Sequence, residues 1–299
     1  MVDFAGTVGL LVAKSDPITF ATDEIGFYAV NVCANDLATG GDASVLSFCP
    51  RCLCLRGDGH DLATTIFAQI GVLACRRLDV VVAGGHSEIT HADAAGRRRY
   101  HVGRRCAAAS STAAARQWEM SCCWRAPCRW RAPASSHARS GMNCWRWVDA
   151  ADVDHAAELL HDPGISVLTP ALAVRPKPGL VSAMHDPTEG GVITGLHELA
   201  TAAGVGLAID LRPSTCCRWR RNCAPRSAWN PLGVIASGAL LATCAPDDAA
   251  ALQELWSSHG WTSCAIGTVT PVEAGLRASR AARAARFHFV VDEITKLFA

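Results

Sequence analysis

Three windows of the chain, residues 49–60, 104–148 and 213–229, lack the apolar periods of 2.0 or 3.6 residues that specify strands and helices. They contain most of the fifteen Cys and nine Trp and are dense in Arg, Ala, Ser and Pro. The longest window cannot easily bury enough apolar surface to offset its ordering entropy. We therefore expect residues 104–148 to pack poorly and to make few long-range contacts, and we look for the fold in the rest of the chain.

The unusual composition of these windows has three explanations. Out-of-frame translation of GC-rich DNA yields such runs of Arg, Ala, Pro, Cys and Trp. Divergent surface loops are a second explanation, and a zinc-binding module is a third. Zinc sites usually pair two Cys-x₂₋₄-Cys motifs, but Cys49 and Cys52 have no clear second pair, and Cys122 and Cys123 are adjacent. The sequence therefore favours the first explanation over the zinc module.

Outside the windows, apolar residues recur with clear periods. Residues 62–74 predict an amphipathic helix with Leu62, Ile66, Ile70 and Leu73 on one face. Further helices are predicted over residues 192–203 and 247–259. The β-branched run at residues 79–83 predicts a buried strand that ends at a pair of glycines.

Charge and hydropathy limit the functional classes. The 28 Lys and Arg nearly cancel the 27 Asp and Glu, so the whole-chain charge gives no case for a nucleic-acid or membrane partner. No run of 18 apolar residues and no signal-peptide pattern is present, so we expect a cytoplasmic protein.

Two short patches in the first 41 residues carry candidate metal ligands. Asp16 follows a predicted strand, where a carboxylate could bind a metal ion, although Ser-Asp-Pro is also a common turn. Asn35 and Asp36 follow a strand-like apolar run and are predicted to open a short helix that ends at Gly40. Hard oxygen ligands beside free amides at a helix start suit Mg²⁺ and phosphate together. A simple helix N-cap is the alternative.

Two later patches contain glycine pairs. Gly84 and Gly85 would let the backbone approach a ligand, with His86 and Glu88 facing it; a plain turn at the end of a strand is the alternative.

The second glycine pair lies in the loop formed by residues 186–191, which runs into a predicted helix. The N-terminus of a helix in this arrangement can bind phosphate through its free backbone N–H groups. A helix start that is capped by the chain itself is the alternative. Glu189 would oppose an anion there unless a metal ion lay between them. The chain matches neither the P-loop motif nor the Rossmann motif.

Taken together and in order, these patches resemble the PurM-like superfamily, which includes aminoimidazole ribonucleotide (AIR) synthase, selenophosphate synthetase, thiamine-monophosphate kinase and the hydrogenase maturation factor HypE. The resemblance is strongest to HypE-like, AIR synthase-related proteins. It is carried by residues 15–20, 34–38, 84–88, 185–191 and 230–240.

The resemblance implies an N-terminal α/β domain, residues 1–148, whose sheet pairs across a homodimer into a barrel. An α+β C-terminal domain, residues 149–299, would follow, and ATP would bind in the cleft between the two domains. ATP would be cleaved to activate or phosphorylate a small-molecule or protein acceptor.

The resemblance also implies roles for individual residues. Mg²⁺ would be held by Asp16 and Asp36, with Asn35 in support, and Asp36, His86 and Asp186 would be the catalytic residues. The residues that bind the nucleotide would be Asn35, Gly84, Gly85, Glu88, Thr188, Gly190 and Gly191.

The chain departs from the family pattern at both ends. The acidic, Gly-rich motif that normally precedes the first strand does not appear before Leu10, and the sequence given ends without the cysteine that carries the chemical group in HypE. We therefore do not expect the HypE reaction. A decayed family member that keeps only the scaffold is the alternative to an active ATP-dependent enzyme.

Overall fold

The computed structural model describes residues 10–12, 15–18, 24–40, 47–49, 51–55, 60–78, 81–90, 100–108, 160–210, 232–278 and 292. The chain divides into two compact units, Met1–Ser111 and Thr112–Ala299, and both are mixed α/β. The predicted domain boundary at residues 148 and 149 lies outside the described residues and stays a prediction.

The N-terminal unit consists of seven strands and two α-helices among the described residues. They are β1 (Leu10–Val12), β2 (Ser15–Ile18), α1 (Ile25–Thr39), β3 (Ser47–Cys49), β4 (Arg51–Leu55), α2 (His60–Ile70), β5 (Val81–Val82), β6 (His86–Thr90) and β7 (Tyr100–Ala108). A π-helical turn, Gly71–Arg77, extends α2. One sheet has the order β1-β7-β3-β5, with β2 also paired to β7, and β4 pairs with β6 in parallel.

The strand β7 is central to this sheet, although its second half lies in the longest aberrant window. It pairs antiparallel with β1, β2 and β3, and Val12 lies opposite Cys106 while Phe48 lies opposite Arg104. The expectation of few long-range contacts is therefore wrong for residues 104–108, and residues 109–148 lie outside the described part of the chain. Similarly, β4 is a regular strand inside the window 49–60. Any non-proline backbone can pair in a sheet, so the absence of an apolar period did not exclude strands here.

The helix α1 is buried on almost every side, and this explains why its sequence shows no amphipathic period. Its buried positions include Ile25, Tyr28, Val30, Val32 and Leu37. A continuous apolar run cannot be assigned to strand or helix by periodicity alone. The strand-like run that we placed before Asn35 is in fact the first half of this helix.

The predicted helix over residues 62–74 is confirmed as α2 with its π-helical extension. Ile66, Ile70 and Leu73 are buried along one side, as expected. The helix packs closely against α1. At Gly26 the two helices leave no room for a side chain, since a Cβ there would collide with the carbonyl oxygen of Ile66. The N–H of Gly26 also donates a hydrogen bond of 2.9 Å to Oε1 of Gln69.

A strand is present within residues 79–83, as predicted, but the prediction that it is buried is wrong. Only Val81 and Val82 form a described strand, β5, and their side chains are 63% and 37% exposed. Among the described strands, β5 pairs with β3 alone and lies at the edge of the sheet. A β-branched run indicates a strand, but it does not reveal whether a second layer covers that strand.

The C-terminal unit consists of α3 (Leu168–Ala173), β8 (Ala183–His185), α4 (Gly191–Ala203), β9 (Gly206–Ile209), β10 (Leu241–Thr243), α5 (Ala249–Ser258), β11 (Gly267–Thr270) and β12 (Leu276–Ala278). A segment kinked at Asp162 lies at Leu160–Gly164, and 3₁₀ turns lie at Pro246–Asp248 and Val272–Ala274. β8 pairs antiparallel with β10. In the second sheet, β9 lies between an antiparallel β11 and a parallel β12.

The core of this unit forms where α4 packs on the sheet. Val192, Leu196 and Leu199 of α4 cluster with Leu207 and Ile209 of β9, and Leu241 and Ile266 join the same cluster. The predicted helices over residues 192–203 and 247–259 are confirmed as α4 and as α5 with its preceding 3₁₀ turn.

The helix α5 is tied to α3 through a buried tryptophan. Trp256 is 2% exposed, and its Nε1 donates a hydrogen bond of 3.0 Å to the carbonyl oxygen of Pro170. A buried indole N–H needs such a partner.

Across the described part of the chain, no helix combines the length and the apolar character that crossing a membrane requires.

Candidate functional site

Asn35 and Asp36 lie near the end of α1 and not at the start of a helix. Asn35 is 2% exposed, Asp36 is partly buried, and the Thr39 hydroxyl donates a hydrogen bond of 3.0 Å to the carbonyl oxygen of Asp36. The carbonyl end of a helix carries partial negative charge, so it favours a cation over a phosphate group. The predicted helix start is therefore wrong, whereas a metal ion near Asp36 remains a prediction that this geometry suits.

The second predicted metal ligand, Asp16, lies on β2. Its backbone is opposite Val102 of β7. The strand β2 packs against α1, so the two elements that carry Asp16 and Asp36 are in contact.

The first glycine pair lies between β5 and β6. Gly84, Gly85 and His86 are all exposed, and a Cβ placed on Gly84 would meet no atom within 4 Å. Glu88 follows on β6, opposite Leu53 of β4. The backbone at Gly84 is therefore accessible, and ligand binding there stays a prediction.

The strand β7 is the common neighbour of these segments in the N-terminal unit. It pairs with β2, which carries Asp16, and it contacts α1, which carries Asp36. It also contacts β4, the partner of the strand that begins at His86. The unit thus brings the Asp16 and Asp36 elements into direct contact, and the His86 strand belongs to a separate two-stranded sheet that contacts β7 through β4.

The loop formed by residues 186–191 connects β8 to α4 in the C-terminal unit. Asp186 is 4% exposed, and Thr188 anchors the loop because its carbonyl oxygen accepts hydrogen bonds of 3.1 Å from both Gly191 and Ala236. Glu189, in contrast, is exposed.

The glycine pair of this loop meets conditions that the sequence did not indicate. Gly190 and Gly191 have φ values of 73° and 67°, which favour glycine. A Cβ on Gly191 would collide with the carbonyl oxygens of Leu232 and Val234. The N–H of Gly190 donates a hydrogen bond of 2.6 Å to Oδ2 of Asp292. The N–H of Gly190 is therefore not free, contrary to the prediction. Glycine is also required at both positions by the close packing of the protein's own atoms, without any ligand.

Two contacts beside this loop were missed by sequence reasoning. Nε2 of His185 lies 2.8 Å from Oε2 of Glu198, with the two side chains 29% and 59% exposed. Asp292 reaches Gly190 across 102 residues. The first pair could have been suspected because His185 precedes the loop and Glu198 lies about two turns into the helix that follows it, but no local pattern points to the second.

The cysteines of the zinc alternative, Cys49, Cys52, Cys122 and Cys123, lie outside the side chains that the structure describes, so that alternative stays a prediction. In the ranges that the structure covers, no group of three or more His, Cys, Asp or Glu side chains is arranged to hold a metal ion. This does not count against Mg²⁺, which is often held by one or two carboxylates together with substrate phosphates.

The described elements form a mixed α/β fold. Residues 147–277 match the family model described as "AIR synthase related protein, C-terminal domain". Together with the solved structures of the same fold, this match confirms the predicted resemblance to the PurM-like superfamily. No curated protein matches the sequence.

Several solved structures share the fold along nearly the whole chain. The hydrogenase maturation protein HypE in complex with ATP is 17% identical, with a TM-score of 0.71 over 93% of this chain and 84% of that one. HypE from E. coli is 18% identical, with a TM-score of 0.70 over 93% and 86%. Thiamine monophosphate kinase from Aquifex aeolicus is 14% identical, with a TM-score of 0.59 over 90% and 88%. At these identities the likeness establishes the fold.

Proposed function

We propose that the chain is an ATP-dependent enzyme of the AIR synthase and HypE-like class, which cleaves ATP to activate or phosphorylate an acceptor. The observation that carries this proposal is the fold shared over 93% of the chain with HypE, whose structure contains ATP. A thiamine monophosphate kinase solved with AMPPCP and TMP shares the fold as well, with a TM-score of 0.63.

Mg²⁺ would be held by Asp36 and Asp16, with Asn35 in support. The carboxylate of Asp36 belongs to the last turns of α1, where the helix dipole adds negative charge. The element that carries Asp16 packs against this helix. A hard cation with oxygen ligands suits this donor set, and bound phosphates would supply further oxygen ligands.

The nucleotide would lie against Gly84 and Gly85, where the backbone is open, with His86 and Glu88 beside it. Asp186 and Thr188 are the candidates from the C-terminal unit, together with the backbone at Gly190 and Gly191. Bound ATP supplies the phosphoryl group, and these residues would position the reactants and neutralise charge.

The acceptor is a small molecule or a protein. A protein partner is suggested by the structure of a HypE–HypF complex, whose HypE-like fold matches this chain with a TM-score of 0.68 at 15% identity.

A homodimer with a barrel formed across the interface is supported by the exposed edge strand β5. Introducing charge there, as in Val81→Asp, should shift sedimentation towards the monomer. The control is Val272→Asp, which changes an exposed valine of the C-terminal unit. Equal sedimentation of both variants and the unaltered chain would count against this interface.

A scaffold that no longer binds ATP is the second candidate, and one observation favours it. The N–H group at the start of α4, which was predicted to meet phosphate, is already bonded to Asp292.

Calorimetric titration with ATP and Mg²⁺ separates the two candidates. The enzyme proposal predicts binding that weakens at least about tenfold in Asp36→Asn, because mutation even of a metal's outer-shell partners typically costs about 10–100-fold in affinity. Asp61→Asn, which removes an exposed carboxylate from the first turn of α2, is the matched control and should bind ATP as the unaltered chain does. Absence of binding by the unaltered chain would favour the scaffold.

A further inference from the structure

The start of α4 receives a capping group from a distant part of the chain. Gly190 occupies the N-cap position, and no side chain of the helix itself caps the first turn. Oδ2 of Asp292 instead accepts the Gly190 N–H at 2.6 Å. Both residues are buried, with Asp292 only 8% exposed. A buried carboxylate is costly unless donors and positive charge compensate it, and the amino end of a helix provides both.

Backbone hydrogen bonds also hold this helix start. The N–H of Gly191 donates to Thr188, and the N–H of Ile193 donates to Leu232. Asp292 therefore adds the charged, side-chain contact in this group. A charge-assisted hydrogen bond is shorter and stronger than a neutral one, so this contact should limit the movement of the loop more than the backbone bonds do.

We propose that Asp292 is a positioning residue that fixes the loop formed by residues 186–191. By holding Gly190 at the point where the loop becomes helix, the carboxylate determines the loop conformation, and with it the places of Asp186 and Thr188. This inference about the loop conformation holds with or without ATP. Only its consequence for nucleotide binding rests on the proposed function.

Hydrogen exchange at the loop tests the proposal in the full-length chain. In Asp292→Ala, amides of residues 188–193 should exchange about tenfold faster, since a charged hydrogen bond closes this segment. Amides of β9 and α5 should keep their rates. Asp292→Asn should give a smaller increase, because its side-chain oxygen still accepts the Gly190 N–H but carries no charge. Asp248→Asn is the control, since Asp248 forms no side-chain cap at the start of α5.

Two results would overturn the proposal. One is unchanged exchange at residues 188–193 in Asp292→Ala. The other is an equal increase throughout the C-terminal unit, which would make Asp292 a general stabilising residue. If Asp292→Ala does not fold, the graded response of Asp292→Asn decides by the same criteria.

ATP titration of the same variants separates this inference from the proposed function. Faster exchange confined to the loop, without ATP binding by any variant, would support the role of Asp292 and contradict the ATP-dependent activity. ATP binding by the unaltered chain, with unchanged loop exchange in Asp292→Ala, would do the reverse.

Discussion

The glycine pairs Gly84–Gly85 and Gly190–Gly191 gave the same signal in the sequence but occupy opposite environments. Gly84 and Gly85 are exposed, and the space beside Gly84 is open, although its φ of 158° also favours glycine. Gly190 and Gly191 are buried, have positive φ, and lie against backbone and side-chain atoms of their own unit. The first pair leaves backbone accessible to a ligand, whereas the second allows a helix to begin in a crowded place.

This difference changes how a Gly-Gly sequence before a helix or strand should be interpreted. Close approach by a ligand and close approach by the protein's own backbone both exclude a Cβ atom. Only the surrounding fold shows whether a ligand or the protein's own backbone approaches the glycine. The comparison can be tested by adding the missing methyl group at each place.

The largest effect is expected for Gly191→Ala. The new Cβ would meet two backbone carbonyl oxygens that cannot move independently of the loop, and φ is 67°. We expect a loss of about 2–4 kcal/mol in the free energy of unfolding, from left-handed strain and overpacking together. Gly204→Ala is the matched control, with φ of 65° and open space, and should lose only about 1 kcal/mol. If denaturant unfolding gave equal losses of free energy for Gly191→Ala and Gly204→Ala, the crowding around Gly191 would not matter, and the comparison would fail.

A similar contrast should hold within the N-terminal unit. Gly26→Ala places a methyl group against Ile66 where α1 crosses α2, and we expect a loss of about 1–3 kcal/mol. Gly71→Ala lies in the extension of α2 with no atom within 4 Å of the new Cβ, so it should be neutral or slightly stabilising. Thermal and denaturant unfolding of the two variants measure this difference. A stable Gly26→Ala protein would contradict the close packing of the helices.

A smaller effect is expected for the His185–Glu198 pair, despite its short distance of 2.8 Å. Both side chains are partly exposed, and solvent-exposed ion pairs contribute only about 0.2–1 kcal/mol. A double-mutant cycle with His185→Ala and Glu198→Ala measures the coupling. Coupling well above that range would show that this pair, and not Asp292 alone, holds the loop formed by residues 186–191.

The smallest effect on stability is expected for Gly85→Ala. Because Gly85 is exposed and, unlike Gly84, does not have a positive φ, the free energy of unfolding should change by no more than about 0.5 kcal/mol. ATP affinity should nevertheless fall, because the methyl group would stand where the nucleotide approaches the backbone. Unaltered affinity, measured by calorimetry, would remove Gly85 from the proposed site.

The sequence predicted those elements that have one buried face. The helices α2 and α4 were found because apolar residues recur at helical spacing and because glycines mark the start of α4. The helix α1 was missed because it is buried around most of its circumference, which removes the period. The strand β7 was missed because backbone pairing holds it in the sheet without an apolar alternation that the sequence would show.

The candidate site was predictable only as separate segments. Local patterns identified Asp36, Gly84 and Asp186, but they placed Asp36 at the wrong end of a helix. They could not predict that Asp292 would take the Gly190 N–H, because 102 residues separate the two and neither lies in a shared motif. Such contacts depend on the tertiary fold, which a single sequence does not encode in any local period.

The most direct test of the proposed site uses Mn²⁺ in place of Mg²⁺ together with ATP. The paramagnetic ion broadens the amide signals of nearby residues in nuclear magnetic resonance spectra. A metal ion held by Asp36 should broaden Asp36, Thr39 and Gly40 at the end of α1 more strongly than Ile25 at its start. Selective broadening that requires ATP and disappears in Asp36→Asn is the result we predict. Unbroadened signals at the end of α1 would contradict the placement of the metal–ATP site.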